Sequence, residues 1–163
     1  MNQSAIAYIS IGSNIDPRAN LEEAVRLLAS RATISGLSTV YRTPPEGTAI
    51  PQEDYLNCVV AIRTELAVDA VRPALLGPIE NQLGRVRSED PYAPRTIDLD
   101  LIGWECPGRP AWLHDRKVRD LHVRVPLAEL APHLAPRASL PESYQAVDDL
   151  SDRIRHLARG GAM

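Results

Sequence analysis

The chain has 163 residues and a formal net charge of −3, with 24% charged and 44% hydrophobic residues, 14 prolines and no phenylalanine. A length of this order favours a single domain, residues 1–163, that buries about 70% of its unfolded surface. The acidic balance argues against a partner as large as nucleic acid, which calls for a basic face.

No apolar run approaches the ~18 residues of a membrane span, so no membrane partner is expected. No basic region followed by an apolar run marks a signal peptide at the N-terminus. The expectation is therefore a cytoplasmic protein, and a monomer is the default for its assembly. Cys58 and Cys106 lack any metal-type spacing, and Cys58, inside an apolar run, reads as a core thiol.

Ala5 to Ile11 is nearly apolar throughout and predicts a central strand, ending at the turn signal Gly12-Ser13-Asn14. Leu21, Ala24, Val25, Leu27 and Leu28 then recur at helical spacing behind the start signals Asp16 and Pro17. A second strand is predicted over Ile34 to Arg42. It runs into Thr43-Pro44-Pro45-Glu46-Gly47, where two prolines stiffen the backbone and forbid regular pairing.

Tyr55 to Leu66 predicts the third strand. Val68 to Leu83 has helical composition, but Pro73 and Pro78 interrupt it. Pro73 fits a first turn; Gly77-Pro78 does not, and predicts a bent or split helix there. A Pro/Gly-rich connector covers Cys106 to Pro110, and His114 to Val125 is basic with no clear period. Leu127 to Leu130 predicts a short helix stopped near Pro132, and Asp148 to Arg159 an amphipathic one with Leu150, Ile154 and Leu157 on its inner face.

The order β-α-β-β-α-β is that of a ferredoxin-like α+β sandwich, an antiparallel sheet with helices on one face and C-terminal helical additions. That fold chooses no function by itself.

Between Gly84 and Ile102 the residues become informative. A polar loop carries Arg85, Arg87 and Arg95 and is punctuated by Pro91 and Pro94. From Thr96 the pattern alternates, with Ile97, Leu99 and Leu101 facing one way and Asp98 and Asp100 the other. Two carboxylates on one strand face repel unless a cation joins them. One or two carboxylates with substrate phosphates suit Mg²⁺, and guanidinium forks suit phosphate oxygens. The segment reads as a metal-and-phosphate site; an ordinary half-solvated strand behind a polar loop fits the same residues. The dense basic stretch around it, which includes Arg109, Arg116, Lys117, Arg119 and Arg124, fits a small polyanion.

Four blocks resemble the 6-hydroxymethyl-7,8-dihydropterin pyrophosphokinase family, over Ala7 to about Pro132. They are Ile11-Gly12-Ser13-Asn14, Tyr41-Arg42-Thr43-Pro44-Pro45, Asp54-Tyr55-Leu56-Asn57, and Gly84-Arg85-Val86-Arg87 through Pro94-Arg95-Thr96-Ile97-Asp98-Leu99-Asp100. The resemblance implies transfer of a diphosphate from ATP to a pterin alcohol in folate synthesis.

It further implies that Asp98 and Asp100 hold two Mg²⁺ ions, that Arg95 assists transfer from a mobile loop, and that Arg85 and Arg87 meet phosphate and product. Glu80 and His114 match ATP-contacting positions, and Tyr92 a loop aromatic. Thr43, Pro44, Pro45, Tyr55 and Asn57 match the pterin pocket, where a rigid turn, a paired amide and an aromatic face suit a flat heterocycle. Val86 to Pro94 has the length and polarity of a lid.

The chain departs from the family pattern in places. Asp120 and His122 stand where an arginine for ATP and a phenylalanine for the pterin are customary, Glu46 where an apolar residue is, and Gly77 where a glutamine is often found. His122 still offers a ring to the pterin, Arg119 and Arg124 are candidate replacements for the arginine on ATP, and Arg109 is a further ATP-binding candidate. These departures leave open a relative with a modified pterin or another phosphate donor, and a binding module without turnover.

Overall fold

In the computed structural model, which describes residues 4–47, 51–86, 89–90 and 93–160, the apolar first strand is the centre of the sheet. This strand, β1 (Ala5–Ser13), pairs antiparallel on one side with β4 (Tyr55–Thr64) and on the other with β5 (Asp98–Glu105). Beyond β4 lie β2 (Thr33–Leu37) and β3 (Tyr41–Thr43), two pieces along one edge of the same neighbour. Beyond β5 lies β6 (Trp112–Leu113), and beyond β3 lies β7 (Gln145–Ala146). With α1 (Pro17–Arg31), α2 (Gly77–Gln82), α3 (Leu121–Leu130) and α4 (Asp148–Ala158), the fold is α+β with the predicted βαββαβ order at its heart.

The turn expected at Gly12-Ser13-Asn14 is later than predicted, because Gly12 and Ser13 still pair within β1. The strand expected over Ile34 to Arg42 is broken at Ser38, and side chains explain the break. The Ser38 hydroxyl accepts the Val59 N–H at 2.8 Å in place of a backbone carbonyl. Two residues on, the Val40 N–H is taken by Ser151 Oγ of α4 at 2.9 Å. The helix expected to bend near Pro78 does so. Residues 72–76 form a π-turn in which the Gly77 N–H reaches back five residues to the Arg72 carbonyl. The wider turn makes room for a proline ring that would otherwise meet the carbonyl four residues earlier.

The two helices of the βαββαβ unit, α1 and α2, share one face as expected, and the C-terminal α3 lies on the other. Alternate residues of β1 and β4 (Ala7, Ile9, Ile11, Cys58, Val60, Ile62) build the main core with α1, α2 and α4. The other face carries a smaller core of Tyr8, Val59, Ala61 and Ile102 beneath Val123 and Leu127 of α3. α3 begins at Leu121, earlier than the predicted Leu127, and tolerates Pro126 inside it. No helix among the described residues is long and apolar enough to cross a membrane.

Glu129 ties α3 to the sheet edge, accepting the Tyr41 hydroxyl at 2.7 Å and the Thr39 N–H at 3.0 Å. Burial, then that hydrogen bond and the carboxylate's charge, push the Tyr41 phenol up to about 12. Its ionisation is thus resisted only by the folded state, so its contribution to stability is full below the ordinary phenol range and is lost as pH rises through about 12. Tyr41→Phe should cost about 1 kcal/mol at neutral pH and flatten the alkaline fall in stability, read from urea unfolding between pH 8 and 11 and from the 295 nm absorbance titration.

Candidate active site

α3 covers only half of its sheet face. The other half is a cleft of about 790 Å³. Its floor is Ser10 and Gly12 of β1, Tyr55 and Asn57 of β4, and Asp98 and Asp100 of β5, residues that the two-residue period of each strand turns the same way. Loops close it: Thr43 to Gly47 on one side, Arg85, Val86 and Ala93 to Arg95 on the other, and Arg116, Lys117, Asp120 and His122 above.

At the β5 end every carboxylate has a cationic partner. Arg85 Nη1 donates to Asp98 Oδ1 at 2.8 Å, and Arg95 Nη1 to Asp98 Oδ2 at 3.0 Å. Burial raises the Asp98 carboxyl, but the charges of Arg85, Arg95 and Lys117 outweigh it and hold the group below the usual carboxylate range. Asp100 Oδ1 lies 2.5 Å from Lys117 Nζ and 3.6 Å from Arg72 Nη2. The carboxylates are each about one-fifth exposed, open to the cleft and close to cations that a phosphate can draw off. This donor set fits a divalent cation shared with phosphate oxygens. No cluster of three or more acidic, histidine or cysteine side chains able to hold a metal by itself occurs among the described residues.

Beneath the cleft, and not on its wall, sits Glu80. It is 2% exposed. Its carboxylate accepts from Arg72 Nη1 and the Leu99 N–H, each at 3.0 Å, and also from Arg85 Nη1. Arg72 gives its other nitrogen to the Leu99 carbonyl. Desolvation lowers the Arg85 guanidinium, but Asp98 and Glu80 more than restore it, and the net shift is upward.

At the other end the floor is neutral. Asn57 Nδ2 donates to Thr43 Oγ1 at 2.7 Å. A Cβ on Gly12 would stand 2.8 Å from Asn57 Oδ1, so only glycine lets the amide lie flat across β1. Burial raises the Tyr55 phenol against the pull of Arg95, leaving an uncharged ring. Pro44, Pro45 and His122 border this end, with Glu46 and Asp120 near enough to Tyr144 that, after burial, their charges help push its phenol up to about 12.

The sequence-derived residues thus divide. Thr43, Pro44, Pro45, Tyr55, Asn57, Arg85, Arg95, Asp98, Asp100 and His122 meet in one cleft. Arg109 lies in the turn that follows Cys106, outside the cleft lining, and the Arg119 Nε donates to the Asp115 carbonyl on the exterior. Arg124 is likewise engaged by the Pro136 carbonyl. His114 is outside the lining too. Its Nδ1 accepts the Lys117 N–H at 3.3 Å and steadies the turn that presents Lys117. Arg87 and Tyr92 lie outside the described residues.

Arg72, Gly12, Asn14 and Lys117 were not singled out from sequence as contributors. Gly12 and Asn14 passed for turn residues, and Lys117 for one basic residue among many. Asn14 ties two loops to the end of β1. Its Nδ2 donates to Gln52 Oε1 at 2.9 Å, and its Oδ1 accepts the Arg95 N–H at 2.9 Å. Its own N–H donates to the Arg95 carbonyl at 3.2 Å.

An α+β sandwich whose free half-face joins paired strand aspartates and arginines to a neutral floor has the features of a phosphate-binding site beside a pocket for an uncharged group. The comparisons agree. The family described as 7,8-dihydro-6-hydroxymethylpterin-pyrophosphokinase matches residues 8–132. A protein of Bacillus subtilis named 2-amino-4-hydroxy-6-hydroxymethyldihydropteridine pyrophosphokinase is 37% identical over 147 residues, 86% of each chain. Relatives of the same name from Porphyromonas gingivalis and Synechocystis are 34% and 38% identical, covering 84% and 77% of this chain and 98% and 66% of their own. The chain belongs to this pyrophosphokinase family.

Asn14→Ala should release the Arg95 segment. The expected result is a loss of about 1–3 kcal/mol in urea unfolding, from buried polar groups left unpaired, together with faster hydrogen exchange at the Arg95 amide. An unchanged exchange rate there would show that the Asn14 side chain does not hold the loop.

Proposed function

We propose that the protein transfers a diphosphate from ATP to the hydroxymethyl group of 6-hydroxymethyl-7,8-dihydropterin, giving AMP and the pterin diphosphate for folate synthesis. The observation that carries this reading is the single cleft that puts the Asp98–Asp100 pair and its arginines beside the Thr43, Tyr55 and Asn57 pocket, in a chain of this family. The alcohol oxygen bonds to the β-phosphorus, the bond from that phosphorus to the α-phosphate oxygen breaks, and the alcohol proton leaves to solvent or a phosphate oxygen.

In this reading the pterin lies over the neutral end. Asn57 offers its amide to the heterocycle's edge, Tyr55 and His122 border its faces, and the Pro44-Pro45 turn fixes backbone groups beside it. Asp98 and Asp100 would hold Mg²⁺, two ions in the proposal, which would supply neutralisation of the phosphate charge. Arg85, kept in place by Glu80, and Arg95 would meet phosphate oxygens from beside Asp98 and stabilise charge that builds during transfer. Glu80 acts as a positioning residue by holding Arg85 from below. No side chain need act as covalent nucleophile, since the work is positioning and electrostatics.

The direct test is AMP formation from ATP, Mg²⁺ and the hydroxymethyl pterin; none at saturating substrate would falsify the reading. Parallel assays with altered pterins and other phosphate donors report whether Glu46, Asp120 and His122 redirect the chemistry. Asp98→Ala and Asp100→Ala should each lower kcat by about a hundredfold or more with circular dichroism unchanged, and wild-type turnover in either would remove the metal assignment. Gly12→Ala should displace the Asn57 amide and raise the pterin KM about tenfold, the worth of one strong hydrogen bond, with the ATP KM nearly unmoved.

A further inference from the structure

Lys117 differs from Arg72, Arg85 and Arg95, the arginines paired with Asp98 and Asp100. Arg72 is fixed by Glu80 and the Leu99 carbonyl, Arg85 by Glu80, and the backbone of Arg95 by Asn14. The Lys117 ammonium has no such second anchor. Among the described residues it pairs with Asp100 alone, at 2.5 Å, and its charge also reaches Asp98. A compact charge on a four-carbon stem turns freely between acceptors, which a planar guanidinium held at both ends does not. The short 3₁₀ turn that carries it, Lys117–Arg119, stands over the cleft and is steadied by His114.

We propose that Lys117 is an interlock between the divalent cation and the nucleotide polyphosphate. It occupies Asp100 until phosphate oxygens draw its ammonium away, and so admits cation and nucleotide together. This rests on the functional reading above, and the argument is electrostatic. A cation arriving alone must displace the ammonium from Asp100 and then sit among Arg72, Arg85, Arg95 and Lys117. A polyphosphate gives that ammonium a new acceptor and frees the carboxylate at the same moment. By linkage, each ligand then strengthens the other equally.

The proposal fixes two effects of opposite sign, which a loosened fold does not produce. Calorimetry on the full chain measures three affinities: Mn²⁺ alone, α,β-methylene ATP alone in chelator, and the two together. In Lys117→Met and in Lys117→Gln, Mn²⁺ alone should bind about five- to tenfold more tightly and the metal-free nucleotide about five- to tenfold more weakly, the size of one partly exposed charge pair. The mutual strengthening of the two ligands should shrink accordingly, and Lys117→Arg should restore it in part. The two neutral variants differ in packing and polarity, and thermal melts confirm that each is folded. If both affinities move in the same direction, or neither moves, the interlock is wrong. If the wild type binds both ligands and makes AMP while the variants titrate like it, the interlock fails alone. If the wild type binds neither ligand, the functional reading fails with it.

Discussion

The buried carboxylate of Glu80 is the constraint on which the rest of the site depends. A desolvated charge without partners is costly enough to be avoided, whereas one that collects several donors fixes all of them. Glu80 collects Arg72, Arg85 and the Leu99 N–H. It thereby locks α2 to β5 and orients a guanidinium toward Asp98. Its own position descends from backbone chemistry: the Gly77-Pro78 pair requires the π-turn, and that turn sets how α2 meets the strand. Two residues of local propensity therefore determine where an arginine stands in the cleft.

The second constraint is the sharing of one sheet face. Tyr8, Val59, Ala61 and Ile102 lie under α3, while Ser10, Gly12, Asn57, Asp98 and Asp100 continue the same face as the floor of the cleft. The strands are thus half core and half cleft floor, with the main core on their other side holding both halves in register. A site built on paired strands keeps its groups at fixed spacing, as in-line transfer demands. Asn14 extends that rigidity to the loops, since one amide holds both Gln52 and Arg95.

Much of this was legible in the residues. Strict alternation exposed the Asp98–Asp100 pair, because a strand allows only two directions. The prolines announced the bend before α2, because their missing donors must be accommodated somewhere. What escaped reading has physical reasons as well. A glutamate on a helix does not declare whether it faces solvent or a buried arginine pair, so the burial of Glu80 was not legible. Ser38 breaks an edge strand through its hydroxyl, a side-chain event that no periodicity records. β6 and β7, with two residues each, are too short to carry a period. Pro126 hid the first turns of α3 because a helix interior usually excludes proline. Gly12 looked like a turn because its real reason, the Asn57 amide 2.8 Å from where a Cβ would be, exists only across strands.

The replacement of an arginine by Asp120 also looks different in three dimensions. Along the chain it reads as a negative charge set against the polyphosphate. In space Asp120 lies at the N-terminus of α3 and is near enough, with Glu46, to perturb Tyr144. The charges that settle Asp98 are instead Arg85, Arg95 and Lys117. The cleft is therefore divided along its length, with positive charge gathered over β5 and negative charge at the Tyr144 rim. A ligand with one polyanionic and one neutral, planar end meets opposite preferences at the two ends. Glu46 and Asp120 discourage the polyanion from lying the wrong way round, which is how repulsive groups commonly sharpen orientation. Under the proposed function Asp120 therefore leaves the direction of binding intact, because the cations that would meet phosphate are those gathered over β5.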